Sequence, residues 1–318
     1  MPQMLRPRRV LVATRAHDEI VAALRARRPD LELRGAALDK VTADDLAWAD
    51  TFLGFKRPPG VTTMGGVRWV HCTGAGVDAW LVSPALADAI LLTRTPESFG
   101  PAIAEWAVAR VLAFQQQLPA LAEAQRDHRW APRVIKRVAG TRALVVGTGD
   151  VGGAIAAALH TLGVVVTGLS RTGAAHGDDS AFRAVYRVEA LADLVGDVDW
   201  IVLAIPDTPA THGLVSRAVL SRCRGAVLLN VGRGAVIDEQ ALSEALEHGW
   251  LSGAALDVFA EEPLPASSPL WSNPRVMISP HCAGPTTVYG AVDGFLECLA
   301  AVERGETPRW AVDRARGY

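Results

Sequence analysis

Short apolar runs alternate with alanine-rich, amphipathic stretches along most of the chain. "RVLVAT" is followed by a helical pattern from about Asp18 to Arg28, then by "DTFLGF", "VRWVHCT" and "ILLT". Apolar runs bounded by turn formers, with helical segments between them, predict strands and crossover helices of a parallel sheet. A second series follows with the same rhythm: "RALVVG", "VVVTGLS", "DWIVLAI", "AVLLNVG", "SGAALDVF" and "RVMISPH". The expected fold is α/β: two Rossmann-like or flavodoxin-like lobes, each a doubly wound parallel sheet, with a cleft between them.

The stretch "TPESFGP" between the two series is rich in turn formers and marks a crossing between lobes. The strongly apolar "AIAEWAVARVLAFQQQL" after it predicts one long helix from about Ala102 to Leu118. From about Thr287 the chain carries a helix pattern, "VDGFLECLAAVERG", but no further strands, and is too short to form a domain. It is expected to return to the first lobe. The domains are then residues 1–98 with 288–318, and residues 99–287.

Composition narrows the function. Half of the 318 residues are hydrophobic, enough for two cores, and the formal net charge is only -2. No large basic surface is available for nucleic acid or an anionic membrane, so a small-molecule partner is expected. No apolar stretch approaches the roughly 18 residues of a membrane span. The basic start has an apolar run of only Val10 to Ala13, too short for a signal-peptide core. Cys72, Cys223, Cys282 and Cys298 are scattered without a paired or His-rich spacing, which predicts no disulfide framework, no metal site and a cytoplasmic location.

The sharpest chemical signal is "ALVVGTGDVGGAIAAALHTLG". Gly147, Gly149 and Gly152 form G-x-G-x-x-G directly after a predicted strand, and Asp150 and Val151 open the predicted helix. The first glycine permits a tight turn, the second lets backbone approach a pyrophosphate, and the third lets helix pack on strand; free N–H groups at the helix start bind the anion. A dinucleotide site is expected. About twenty residues on, an NAD-selective site places a carboxylate for the ribose 2′-hydroxyl, whereas this chain has Ser170, Arg171 and Thr172. A guanidinium grips a 2′-phosphate with charge-assisted hydrogen bonds, so NADP(H) is expected to be preferred over NAD(H).

Later motifs follow in order: "NVGRG", "AALDVFAEEPLP" and "SPHCAG", after "WVHCTGAGVD", "AEWAVARVL" and "QRDHRW". Together they resemble the D-isomer-specific 2-hydroxyacid dehydrogenase family, and the "LSRT" strand end resembles its NADPH-using glyoxylate and hydroxypyruvate reductases. The resemblance implies that Arg233 holds a substrate carboxylate and polarises its carbonyl, that His281 is the acid/base, and that Glu262 orients His281. The chemistry agrees. Reducing a 2-keto acid puts negative charge on the carbonyl oxygen, which calls for a fixed cation and a proton donor that works near neutrality.

The same resemblance implies that Asp257 holds the nicotinamide carboxamide. It places Ile205, Pro206, Thr211, Val231, Gly232, His281 and Gly284 along the cofactor, and gives Ala75, Gly76 and Val77 to the substrate carboxylate as a backbone nest. It further implies a homodimer through the nucleotide-binding domain, with the helix from Ala102 to Leu118 as a contact. Three other activities are found on this frame. Dinucleotide-sensing corepressors keep the same triad; formate enzymes pair the histidine with glutamine, where this chain has Glu262; phosphite oxidisers carry a lysine where this chain reads "TGAGVD".

The remaining candidates are bland. His17, His71, His128, His160, His176, His212 and His248 lack matching partners and read as surface or packing residues. Cys282 has no local feature that would make its thiol reactive. Trp48, Trp80, Trp130 and Trp271 are candidates for pocket lining, with at least half of the tryptophans expected in cores, and Lys56 and Arg57 read as exposed residues at a strand end.

Overall fold

The computed structural model describes residues 6–81, 85–95, 99–175 and 180–317. Residues 96–98 of the turn-rich stretch, and His176, lie outside the described residues. The chain divides into two compact units, residues 1–99 with 286–318 and residues 100–285.

In the first unit, β1 (Arg9–Ala13), β2 (Glu32–Ala36), β3 (Thr51–Leu53), β4 (Trp69–Cys72) and β5 (Leu91–Arg94) form a five-stranded sheet in the order β2-β1-β3-β4-β5. Every neighbouring pair is parallel. Both faces are covered, which is why the inner strands read as continuous apolar runs. One face buries Val10, Val12, Leu53 and Trp69 against Phe295 and Leu299 of the helix Val288–Glu303. The chain therefore leaves this unit and returns to fill its core. Fully burying a side chain such as Phe295 contributes roughly 2–3 kcal/mol.

A polar chain crosses this core. The Trp69 indole N–H donates to Thr93 Oγ1 at 2.9 Å, and the His71 ring lies between Thr93 Oγ1 at 2.7 Å and Thr95 Oγ1 at 2.8 Å. An indole only donates. The Thr93 hydroxyl keeps one proton and one further lone pair, so it partners His71 Nδ1 in either ring tautomer while Thr95 partners Nε2. Complete burial pushes the His71 pKa down to about 3. The folded value lies below the unfolded one, so the neutral ring is stable above the unfolded pKa, and stability is lost as pH falls below it. Between pH 7 and pH 4.5 this group is expected to cost about 2–3 kcal/mol. Denaturant unfolding at both pH values should show a flatter dependence in His71→Gln than in the wild type. Equal slopes would refute the assignment.

The second unit holds β6 (Arg142–Val146), β7 (Val165–Ser170), β8 (Phe182–Arg187), β9 (Trp200–Leu203), β10 (Ala226–Asn230), β11 (Leu251–Leu256) and β12 (Val276–Ile278). They form one parallel sheet in the order β12-β11-β10-β9-β6-β7-β8. The order reverses at β6, between β7 and β9, and doubly wound sheets bind ligands outside the carboxyl ends of their strands at such a point. Leu144, Ile201, Leu228, Ala254 and Leu256 fill the core on one side, all nearly or fully buried.

Two sequence expectations need correction. Strands β2 and β8 were not anticipated, because both are sheet edges whose residues are partly exposed and carry no unbroken apolar run. The helix expected from Ala102 to Leu118 is the helix Gly100–Gln115, and Leu118 begins a separate helix, Leu118–Arg126. The break is at Gln117, in the left-handed region at φ 54°. Pro119 has no N–H to continue the first helix. Among the described residues, no helix is long and apolar enough to cross a membrane.

Candidate active site

All strands of the second sheet run the same way, so the segments leaving β6, β7, β9, β10, β11 and β12 emerge on one edge. The residues singled out in the sequence gather there. Gly147 follows β6 at φ 98°, where a Cβ would sit 2.4 Å from Ala204 O; at Gly152 a Cβ would sit 1.7 Å from Gly147 O. Only glycine fits at either place. Gly149 differs, since a Cβ there would meet nothing within 4 Å. The helix Asp150–Thr161 starts immediately after it, so the N–H groups of its first turn, with Asp150 and Val151, border an open space of the kind a phosphate needs.

At the end of β7, Ser170 Oγ accepts from the N–H groups of Gly173 and Ala174 at 3.0 and 3.1 Å and donates to Ala174 O at 2.7 Å. Thr148 Oγ1 donates to the same carbonyl at 3.2 Å. These bonds fasten the turn carrying Arg171 and Thr172 to the glycine-rich loop, while Arg171 itself stays exposed. After β9, Thr211 Oγ1 accepts from Thr208 N and donates to Pro206 O at 2.7 Å, which fixes the loop that begins at Ile205.

Beyond β10, Asn230 Oδ1 accepts from Gly232 N at 3.0 Å and its Nδ2 donates to Arg233 O at 2.9 Å. The fully buried Asn230 thus sets the turn Val231–Gly234. At Gly232 a Cβ would lie 2.4 Å from Ile205 O, and at Gly234 one would lie 1.8 Å from the carbonyl carbon of Phe259. Arg233 is held between two backbone-to-backbone contacts. Its Nη1 donates to Gly232 O at 2.7 Å.

After β11 and β12 the catalytic candidates meet. His281 Nδ1 lies 2.7 Å from Glu262 Oε2, and Glu262 Oε1 accepts from Phe259 N at 3.0 Å. With Glu262 as a carboxylate, Nδ1 is the donor and Nε2 is left for a ligand. Burial alone would raise the Glu262 carboxyl. The hydrogen bonds from His281 and Phe259, and the charges of His281 and Arg233, outweigh it and hold the group below the usual glutamate range. Glu262 is therefore ionised at neutral pH. The His281 and Glu262 side chains keep 41% and 35% of their surface exposed, enough to be reached by a ligand.

Asp257 is 2% exposed and braces the His281 loop. Its Oδ1 accepts from Ser279 Oγ at 2.6 Å and Cys282 N at 3.0 Å, its Oδ2 accepts from Ala283 N at 2.9 Å, and its carbonyl accepts from His281 N at 2.8 Å. Gly284 follows this loop, half exposed. Ser279 was not anticipated from sequence.

In the first unit, the loop after β4 carries Ala75, Gly76 and Val77. Arg94 Nη1 donates to Ala75 O at 3.0 Å, and the Phe55 ring packs where a Cβ on Gly74 would lie. Trp80 is fully buried and belongs to the core, whereas Trp130 and Trp271 are 97% and 53% exposed, and Trp48 lies under the Arg34 guanidinium. Lys56 is exposed and Arg57 half-buried near Trp80.

Comparison with known proteins agrees with this architecture. The profile described as "D-isomer specific 2-hydroxyacid dehydrogenase, NAD binding domain" matches residues 108–283. Glyoxylate/hydroxypyruvate reductase A of Serratia proteamaculans is 30% identical over 312 residues, 95% of this chain and 96% of its own length. A D-isomer specific 2-hydroxyacid dehydrogenase from Xanthobacter autotrophicus Py2, solved with NADPH and MES, superposes with a TM-score of 0.87 at 33% identity, over 98% of this chain and 100% of that one. An NADPH-dependent glyoxylate/hydroxypyruvate reductase from Sinorhizobium meliloti, in complex with NADP and sulfate, gives a TM-score of 0.86 at 27% identity, with coverage of 98% and 100%. The chain belongs to the D-isomer-specific 2-hydroxyacid dehydrogenase family, on its glyoxylate/hydroxypyruvate reductase A side. It is an NAD(P)-dependent oxidoreductase.

Proposed function

We propose that the enzyme reduces a small 2-keto acid of the glyoxylate or hydroxypyruvate class to its D-2-hydroxy acid, with NADPH as the preferred cofactor. The observation that carries the reading is the His281–Glu262 pair at 2.7 Å, on the sheet edge that also bears Arg233. When bound, the nicotinamide supplies the hydride. Gly147, Gly149 and Gly152, with the helix start at Asp150 and Val151, would hold its pyrophosphate, and Ile205, Pro206, Thr211, Val231, Gly232 and Gly284 would border it.

Arg233 binds the substrate carboxylate and draws electron density toward the carbonyl oxygen. His281 donates a proton from Nε2 to that oxygen, and Glu262 holds the ring in place and stabilises its charged form. Asp257 already accepts three hydrogen bonds on its side chain, which leaves one lone pair on Oδ2 for a carboxamide N–H. The N–H groups of Ala75, Gly76 and Val77 serve as a nest for a carboxylate.

Arg171 in place of a carboxylate at the end of β7 supports the cofactor preference, as do the NADPH and NADP bound in the two solved relatives. Nicotinamide oxidation should be measured with NADPH and NADH against glyoxylate, hydroxypyruvate and phenylpyruvate. The expected result is turnover of the two small acids with NADPH favoured, and an Arg171→Asp variant that loses at least about tenfold in NADPH affinity while gaining on NADH. Unchanged cofactor preference in that variant would remove Arg171 from the reading; silence with every acid would overturn the substrate class.

The enzyme is further read as a cytoplasmic homodimer through the nucleotide-binding unit. Leu118, Leu121, Trp130, Val134 and Ile135 are large exposed apolar side chains concentrated in one short stretch of it, as an interface requires. A monomeric mass by sedimentation at micromolar concentration would rule this out.

A further inference from the structure

The helix Gly100–Gln115 carries an indole that the proposed chemistry does not use. Trp106 is 7% exposed, and its Nε1–H donates to Ser279 Oγ at 2.9 Å. Ser279 has one proton, and an indole N–H cannot accept it. The Ser279 hydroxyl is therefore directed to Asp257 Oδ1, 2.6 Å away. Asp257 in turn grips the amides of Cys282 and Ala283, and its carbonyl takes the amide of His281. The Arg110 guanidinium, 4.5 Å from the Trp106 ring centre, covers one face of the indole.

The loop at the end of this chain of bonds is strained. His281 has φ 51°, a left-handed backbone conformation that is unfavourable for a non-glycine residue and persists only when its surroundings impose it. We infer that Trp106 is a positioning residue for His281. Its N–H fixes the Ser279 hydroxyl, the hydroxyl fixes the Asp257 carboxylate, and the carboxylate holds the backbone that aims the imidazole at its place beside Glu262. The inference rests on the acid/base role proposed for His281.

Trp106→Phe keeps an aromatic ring but removes the donor and part of the buried indole volume, and Ser279→Ala deletes the next group with less change in volume. Each is expected to lower kcat for 2-keto acid reduction by about tenfold, with the KM for the keto acid changed less than twofold. The double variant should be no worse than the poorer single one, since both cut the same chain of bonds. If Trp106→Phe does not fold, Ser279→Ala alone carries the test. Variants that lose thermal stability but keep kcat would overturn the inference, as would additive losses in the double variant. A His281→Gln variant measured in parallel separates the two readings: full activity there defeats the acid/base assignment itself, whereas a large loss there beside unaffected Trp106→Phe and Ser279→Ala defeats only the positioning role.

Discussion

His281→Ala is expected to lower kcat for 2-keto acid reduction by about 10²- to 10⁴-fold, the range typical of removing a general acid. The carbonyl oxygen becomes negative as the carbon is reduced, and in the variant only water is left to protonate it. Arg233 remains, so the KM for the keto acid should change far less than kcat. The pH profile is the more telling measurement. The variant should respond less to pH than the wild type, because reduction no longer draws its proton from this side chain. Glu262 contributes in one direction only: it is held below the usual glutamate range, so it is already ionised where the enzyme works and adds no acidic limb near neutrality. Steady-state rates from about pH 6 to about pH 9 would check this. A variant with the wild-type rate and the wild-type pH profile would remove His281 from the mechanism.

The second large effect is expected at a residue with no side chain. A Cβ on Gly234 would lie 1.8 Å from Phe259 C, 2.2 Å from Phe259 O and 2.3 Å from Ala260 N. All three are backbone atoms, so no rotamer change relieves the clash. Gly234→Ala must push the Arg233 turn away from the segment that carries Glu262. Phe259 N is itself a donor to Glu262 Oε1, so the displacement reaches the carboxylate that orients His281. Overpacking of this kind costs about 1–3 kcal/mol in stability, and a shift of about 1 Å at the reacting groups lowers kcat/KM by about 10²-fold. Thermal unfolding and kcat/KM for the keto acid, measured together, test it. Activity within a few-fold of wild type would show that the two turns do not depend on each other.

The parts of the fold legible in the sequence are those that burial writes into it. Strands β1, β6, β9 and β10 are covered on both faces and appear as unbroken apolar runs. Edge strands leave no such trace. "ELRGA" in β2 has only exposed and half-buried positions, and "FRAVYR" in β8 mixes arginines into its run. The break between the helices Gly100–Gln115 and Leu118–Arg126 was hidden because apolar residues continue through it, although Pro119 was a signal.

The site divides in a similar way. Gly147, Arg233 and His281 stand in short local patterns whose residue types state their chemistry. Trp106 and Ser279 are 173 residues apart and joined by one hydrogen bond, and neither lies in a pattern that names the other. Asp257 shows both sides of this. Its place after a strand could be read, but its carboxylate's hold on Cys282, Ala283 and Ser279 depends on how the loop folds back.

The return of the helix Val288–Glu303 to the first unit has a consequence for the order of assembly during synthesis. Strands β1 to β5 leave the ribosome first, with Ile20 and Leu24 of the helix His17–Arg27, yet the cover over Val10, Val12 and Trp69 is only partial until Phe295 and Leu299 have been made. The nucleotide-binding unit, residues 100–285, is complete before then. At roughly 5–20 residues per second, the nascent first unit waits tens of seconds with that apolar face only partly filled, while the unit begun second is already whole.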